Sequence, residues 1–163
     1  MREMPSNQLD PRVKRVWRIN DAFWITLVAL CFAVTALLLR IDPAIAPVGN
    51  TLLFATAIVY AAALVIWLAV LPPIRYYRWR YELSEEYLDI AQGIIWRRRT
   101  IVPFIRVQNT DTRQGPILRM FGLASVTVDT AAGAHEIPGL SLETAEAVRD
   151  KAAELARLAR EDV

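Results

Sequence analysis

Two long stretches without charge dominate the hydrophobic pattern in the first half of the chain. No charged residue lies between Ala22 and Leu39, and none lies between Pro43 and Ile74. A helix rises about 1.5 Å per residue, so each stretch is long enough to cross a hydrocarbon core about 30 Å thick. The pattern therefore predicts a two-helix transmembrane hairpin over residues 21–74, with spans at about 21–40 and 51–71.

The pattern changes after Pro72-Pro73, where we expect the second helix to end because proline disfavours a helical conformation at the residue before it. Short segments rich in β-branched and aromatic residues follow, separated by turn residues such as Gln92-Gly93 and Ala132-Gly133. Six of these segments are predicted to be strands: 79–83, 87–91, 94–102, 106–112, 125–130 and 135–137. Pro138-Gly139 is predicted to close the sheet region.

A C-terminal amphipathic helix is predicted to begin after Ser141, whose hydroxyl suits a helix N-cap. Apolar residues then recur at helical spacing: Leu142, Ala145, Val148, Ala152, Leu155 and Ala159. Strands followed by one helix indicate a compact α+β domain over residues 75–163, in which the helix covers one face or one open end of the sheet.

Basic residues flank the hairpin on one side only. Five precede the first span and three follow the second: Arg2, Arg12, Lys14, Arg15 and Arg18, then Arg75, Arg78 and Arg80. The connection between the spans carries only Arg40, offset by Asp42. Positively charged flanks favour the cytoplasmic side, so both termini are predicted to be cytoplasmic. Residues 1–20 then form a basic cytoplasmic segment of a multi-pass protein of the inner cell membrane.

A cleaved signal peptide is the main alternative for the first stretch, because Ala44-Ile45-Ala46 resembles an A-x-A cleavage site. The apolar run is longer than the usual core of about 7–15 residues, and Pro47 would directly follow the cut. We favour an anchor. The mass of the purified protein distinguishes the two, since cleavage removes the first 46 residues or so.

The residues that carry chemistry are few. Cys31 is the only cysteine and His135 the only histidine, which counts against a disulfide, a metal centre and cysteine–histidine catalysis. No phosphate-binding glycine loop or catalytic motif is present, so we expect no catalytic residues, no cofactor and no enzymatic activity. Residues 75–163 contain 13 basic and 13 acidic residues, a balance that argues against nucleic acid as a partner.

Four segments of the domain together resemble a known family. They are Ile-Val-Pro-Phe-Ile-Arg-Val-Gln at 101–108, Gly-Pro-Ile-Leu-Arg-Met-Phe-Gly-Leu-Ala at 115–124, Val-Thr-Val-Asp-Thr-Ala at 126–131 and Ile-Pro-Gly-Leu at 137–140. Their order and spacing resemble bacterial pleckstrin-homology (PH) domains of the YdbS-like, membrane-anchored type. The resemblance implies two N-terminal transmembrane helices and an α+β domain, a PH-like antiparallel β-barrel capped by the C-terminal helix.

Arg97-Arg98-Arg99 is the densest charge cluster in the domain. Alternate residues of a strand face opposite sides, so Arg97 and Arg99 are predicted to share one face and Arg98 the other. The cluster is a candidate surface for lipid or partner binding, and Arg106 is added to it. The alternative is a charged strand that protects a sheet edge from aggregation.

These observations lead to a non-enzymatic interaction or scaffold module at the inner face of the membrane. Its expected partners are the lipid bilayer and another membrane protein, for which the resemblance suggests a paralogous PH-domain protein, while self-association stays open. Two alternatives remain: a module that binds anionic lipid headgroups, and an accessory subunit of a membrane transporter or enzyme.

Overall fold

A computed structural model describes residues 4–161 of the protein and separates them into two compact units. One unit is Trp17–Pro73. The other combines the N-terminal residues up to Val16 with the residues from Ile74 onward. The N-terminal segment therefore groups with the domain, which the sequence did not indicate.

The first unit is formed by two long apolar helices. The helical elements are α1 (Val13–Leu39), α2 (Ala46–Leu64), a π-helical segment (Val65–Val70) and α3 (Leu71–Arg78). Val13–Leu39 and Ala46–Arg78 are long and apolar enough to cross a membrane. Most of their side chains are exposed, as expected of helices that contact lipid.

The predicted helix end at Pro72-Pro73 is wrong, because the helix continues to Arg78. The carbonyl of Leu68 would accept a hydrogen bond from residue 72 in an α-helix or from residue 73 in a π-helix, and neither proline has an N–H. Arg18 supplies the missing donor, with its Nε 2.8 Å from the Leu68 oxygen. The two prolines thus lie just after a π-helical segment, inside a helix that continues past them.

The two helices approach each other closely at two levels. The hydroxyl groups of Thr26 and Tyr60 lie 3.1 Å apart. Near the hairpin turn Gly49 is buried, and a Cβ atom there would lie 2.6 Å from the Ala36 carbonyl oxygen. Only glycine permits this contact, as is common where transmembrane helices pack.

The described residues of the second unit form six strands in two antiparallel sheets, in agreement with the α+β prediction. The first sheet has the order β1-β2-β3 and the second β4-β5-β6. The elements are β1 (Arg80–Leu83), β2 (Tyr87–Gln92), β3 (Arg98–Pro103), a 3-10 turn (Phe104–Arg106), β4 (Val107–Arg113), α4 (Pro116–Met120), β5 (Leu123–Thr130), β6 (Gly133–Ser141) and α5 (Leu142–Glu161).

The expectation of a barrel is corrected: no ladder joins the two sheets among the strands of residues 4–161, so the barrel is not closed. The chain changes sheets at Pro103, which cannot donate to a ladder, and at the 3-10 turn that follows. Phe104 in that turn is fully buried and contributes to the core.

Helix α5 packs against the second sheet and the 3-10 turn. Its buried residues are Ala145, Ala152 and Ala156, whose small side chains let the helix approach closely. The predicted N-cap is confirmed, since the Ser141 hydroxyl accepts a hydrogen bond from the Thr144 N–H at 3.1 Å. Leu142 is exposed and does not belong to the buried face.

Strand β6 extends past the predicted stop at Pro138-Gly139 and ends at Ser141. Ile137 pairs with Val126 and Leu140 with Ala124, so two residues of β6 oppose one of β5. Gly139 lies in this β-bulge with a φ of 64°, a conformation that glycine adopts without a steric penalty. The bulge accommodates Pro138, which has no N–H to donate, so the strand continues past it.

The N-terminal segment docks on this unit through backbone and side-chain contacts. Asn7 forms a β-bridge with Tyr81, and the Asp10 N–H donates to the Gly139 carbonyl at 3.0 Å. Leu9 and Val13 are buried. The segment thus closes the outer edge of β1, where an exposed strand edge would invite pairing with other chains.

Candidate interaction surface

Arg99, one of the four predicted site residues, has a structural role. It is the second residue of β3, and the register places it opposite Ala91, which is two residues after Asp89 on β2. Its guanidinium donates to the carboxylate of Asp89, with a shortest N–O distance of 2.6 Å. Asp89 is buried, and this hydrogen bond raises the pKa of Arg99. A buried carboxylate needs such a partner, so Arg99 is committed to it.

Arg97 and Arg98 remain exposed at the surface. Arg98 begins β3, whereas Arg97 lies before the strand in the loop of residues 93–97. The prediction that Arg97 and Arg99 share a strand face is therefore wrong, because the alternation rule does not extend into the loop. The structure leaves Arg97 and Arg98, adjacent in sequence, as the basic pair of this surface.

Arg106 does not join this pair. It lies in the 3-10 turn after β3, and the six-residue strand separates the two positions by roughly 17 Å at about 3.3 Å per residue. Arg106 instead lines a cleft of about 650 Å³ together with Gln108, Thr130 and Arg160. Arg160 donates a hydrogen bond to the Val107 carbonyl there.

The loop of residues 93–97, hereafter the β2–β3 loop, exposes two large apolar side chains. Ile95 is 84% exposed and Trp96 is 87% exposed, the highest values among the large apolar residues that the structure describes. The sequence predicted them inside a strand, because a run of bulky and β-branched residues is typical of strands. The only sequence signal for the loop was the predicted turn at Gln92-Gly93. The loop extends beyond that turn to residue 97.

Gly93 determines the shape of the β2–β3 loop. Its φ is 107°, and a Cβ atom on it would lie 2.0 Å from the Trp96 carbonyl oxygen. The chain therefore turns back tightly on itself in a conformation open only to glycine. The exposure of Ile95 and Trp96 follows from this turn.

The strand register shows which end of the first sheet carries the β2–β3 loop. Arg80, the first residue of β1, pairs with Ala91, and Gln92 pairs with Arg98. The loop therefore lies at the end of the sheet where the chain enters β1. Strand β1 begins at Arg80, two residues after α3 ends at Arg78.

A second cluster of charges fixes the N-terminal segment. Asp10 accepts hydrogen bonds from the Arg12 backbone at 2.8 Å and from its side chain, and this side-chain bond lowers the pKa of the Asp10 carboxyl group. Arg12 also donates to the Phe121 carbonyl at 3.1 Å. Lys14 lies 4.6 Å from the ring centroid of Tyr76, a cation–π distance.

Within residues 4–161, no three His, Cys, Asp or Glu side chains form a group that could hold a metal ion. The Asp111 carboxylate forms an ion pair with Arg113, with an N–O distance of 3.6 Å.

The chain is similar in sequence to known proteins. The sequence model of the family described as "Bacterial PH domain" matches residues 21–156. The UPF0699 transmembrane protein YdbS of Bacillus subtilis (strain 168) is 36% identical over 171 residues, which cover 100% of both chains. The UPF0699 transmembrane protein YdbT of the same organism is 25% identical over 91 residues, which cover 53% of this chain and 18% of YdbT. No solved structure gives a significant match.

Proposed function

Because the chain belongs to the bacterial PH domain family, we propose that it is a membrane-anchored, non-enzymatic interaction module. The apolar hairpin holds the domain at the inner face of the membrane, and the protein binds a second membrane protein there. The partner that we propose is a paralogous protein with a bacterial PH domain.

One observation carries this proposal: the family match extends over the hairpin and the domain together. The full-length similarity to a transmembrane protein of the same size supports the same combination. The weaker similarity to YdbT supports the choice of partner, because two membrane proteins of one organism both contain sequence similar to this chain.

The hairpin unit offers a surface for such a partner. An apolar groove of about 500 Å³ runs between its helices, lined on one helix by Trp24, Val28 and Phe32 and on the other by Val59 and Trp67. Side chains from both helices contribute, including small ones such as alanine. Grooves of this kind suit the close packing of another transmembrane helix.

Photo-crosslinking in cells tests the partner. A photoreactive amino acid at Val59, inside the groove, is expected to give a covalent adduct with another membrane protein that carries a bacterial PH domain. Val34 is the matched control, since it is an exposed valine on the other helix and does not line the groove. Equal yields at both positions, adducts only with a second copy of this chain, or no protein adduct would each contradict the proposed partner.

We further propose that both termini are cytoplasmic, on the strength of the basic flanks and the weakly charged hairpin turn. Cys31 is the only cysteine, so a Cys31→Ala background allows single-cysteine labelling. In intact cells a membrane-impermeant maleimide is expected to label a cysteine at Ala44, in the turn, but not one at Met120, in the domain. Both positions are exposed, and the reverse labelling would contradict this topology.

A further inference from the structure

We propose that the β2–β3 loop, with Arg98, is a membrane-contact element. In the proposal Ile95 and Trp96 enter the interfacial layer of an anionic bilayer, and Arg97 and Arg98 bind lipid phosphates. The inference rests on the membrane anchoring in the proposed function but requires no protein partner.

The first argument is the shape and exposure of the loop. Two large apolar side chains project from a tight turn that Gly93 holds in a conformation closed to other residues. Exposing Ile95 and Trp96 to water is unfavourable by the hydrophobic effect. Burial of both side chains in the interfacial layer of a bilayer would remove that cost.

The second argument is charge. Residues 90–110 contain four arginines and no acidic residue. Arg99 is bound to Asp89, and Arg106 lies at the far end of β3. The two remaining arginines, Arg97 and Arg98, directly follow the exposed apolar pair in sequence, and both are exposed. This combination complements an anionic surface that has an apolar layer beneath it.

The third argument selects a bilayer as the occupant. Trp is enriched where headgroups meet hydrocarbon, and Arg binds phosphate in a bidentate manner. Two apolar residues form too small a patch for a stable protein interface, which usually buries about 800 Å² on each partner. A bilayer needs no such area here, because the hairpin tethers the domain and raises the effective concentration of the surface.

The fourth argument is position. The β2–β3 loop lies at the end of the first sheet where the chain enters β1. The residues from Ile74 to Arg78 are helical and rise only about 1.5 Å each. Only residues 74–79 lie between the hairpin unit and β1, so this is the end of the sheet to which the chain connects the hairpin.

Spin labelling of the full-length protein in vesicles tests the proposal. In a Cys31→Ala background, a nitroxide at Ile95→Cys keeps Trp96 and both arginines in place. In vesicles with anionic lipid, this label is expected to collide more with oxygen, which concentrates in the bilayer, than with a water-soluble nickel complex. A nitroxide at Met120→Cys, a position 76% exposed, is the control and is expected to show the reverse preference.

Removal of the two charges tests the lipid contact. Each basic residue close to an anionic surface strengthens association by roughly fivefold, so Arg97→Gln with Arg98→Gln is expected to lower the ratio of inserted to free label by about 25-fold. Arg113→Gln with Arg157→Gln is the matched control. It removes two exposed arginines elsewhere on the domain and is expected to change the ratio by less than about twofold.

The outcomes separate the proposals. Equal nickel accessibility at positions 95 and 120 in anionic vesicles overturns the membrane contact. Protection of position 95 only in native membranes, and not in vesicles of pure lipid, also overturns it and indicates a protein as the occupant. Neither result bears on the groove at Val59, whose crosslinking tests the partner separately.

Discussion

Gly139→Ala is expected to lower the free energy of unfolding of the domain by about 3 kcal/mol and to detach the N-terminal segment. Two effects combine at this position. The φ of Gly139 is 64°, which is unfavourable for alanine, and an added Cβ atom would lie 2.1 Å from Cγ2 of Val13. Val13 is fully buried, so it cannot move aside without losing its own contacts.

Chemical denaturation and hydrogen exchange measure the two consequences of Gly139→Ala. Denaturation of the full-length protein in detergent gives the loss of stability. Faster exchange at Asp10 and Asn7, whose N–H groups donate to the Gly139 and Tyr81 carbonyls, reports release of the segment.

Gly122→Ala is the matched control for this substitution. Gly122 has a φ of 63°, nearly the same as Gly139, but the nearest atom to an added Cβ is 3.7 Å away. It should therefore cost only about 1 kcal/mol, from backbone strain alone. Val13→Ala combined with Gly139→Ala removes the Cγ2 contact at 2.1 Å but keeps the Val13 Cβ atom at 2.6 Å, so it should relieve only part of the clash. Equal losses for the two glycines would show that the Val13 contact is unimportant.

Arg99→Gln is expected to lower the melting temperature of the protein by roughly 10 °C, because it leaves the Asp89 carboxylate buried without its ionic partner. Asp89 is 3% exposed and lies in the middle of the first sheet. The Arg99 side chain is 35% exposed, but the Asp89 carboxylate is buried, so the charge that remains after the substitution cannot reach water. A thermal unfolding curve of the full-length protein measures the change.

Arg98→Gln is the control for Arg99→Gln, since it removes an exposed arginine from the next position of the same strand. It is expected to change the melting temperature by no more than about 1–2 °C. Adding Asp89→Asn to Arg99→Gln removes the unpaired negative charge and should recover part of the lost melting temperature. A melting temperature that falls equally for Arg98→Gln and Arg99→Gln would rule out the buried pair as the cause.

The same pair shows why the sequence could not resolve the candidate site. Arg97, Arg98 and Arg99 are identical side chains in a row, and each could equally be exposed. Their roles diverge because β3 starts at Arg98 and its register brings Arg99 near Asp89, ten residues away in sequence. Register depends on pairing between distant segments, which no local pattern encodes.

The β2–β3 loop shows the same limit in local structure. The run Ile94-Ile95-Trp96 has the composition of a strand, and composition alone predicts one. The backbone of Gly93 overrides it by turning the chain so tightly that Trp96 leaves the sheet. The barrel expectation failed for a related reason, since whether two sheets join depends on contacts between strands that lie far apart in the chain.

Local sequence patterns were enough to predict the apolar hairpin, the six strands, the C-terminal helix with its Ser141 cap and the resemblance to the bacterial PH domain family. These features depend on hydrophobic periodicity, turn residues and short motifs, all of which act over a few neighbouring residues. Four features could be seen only once the chain was folded: Arg99 pairs with Asp89, Arg106 lies apart from the other arginines, Ile95 and Trp96 are exposed, and Val13 packs over Gly139. Each of these features depends on contacts between residues that are far apart in sequence, and the packing of the whole chain determines those contacts.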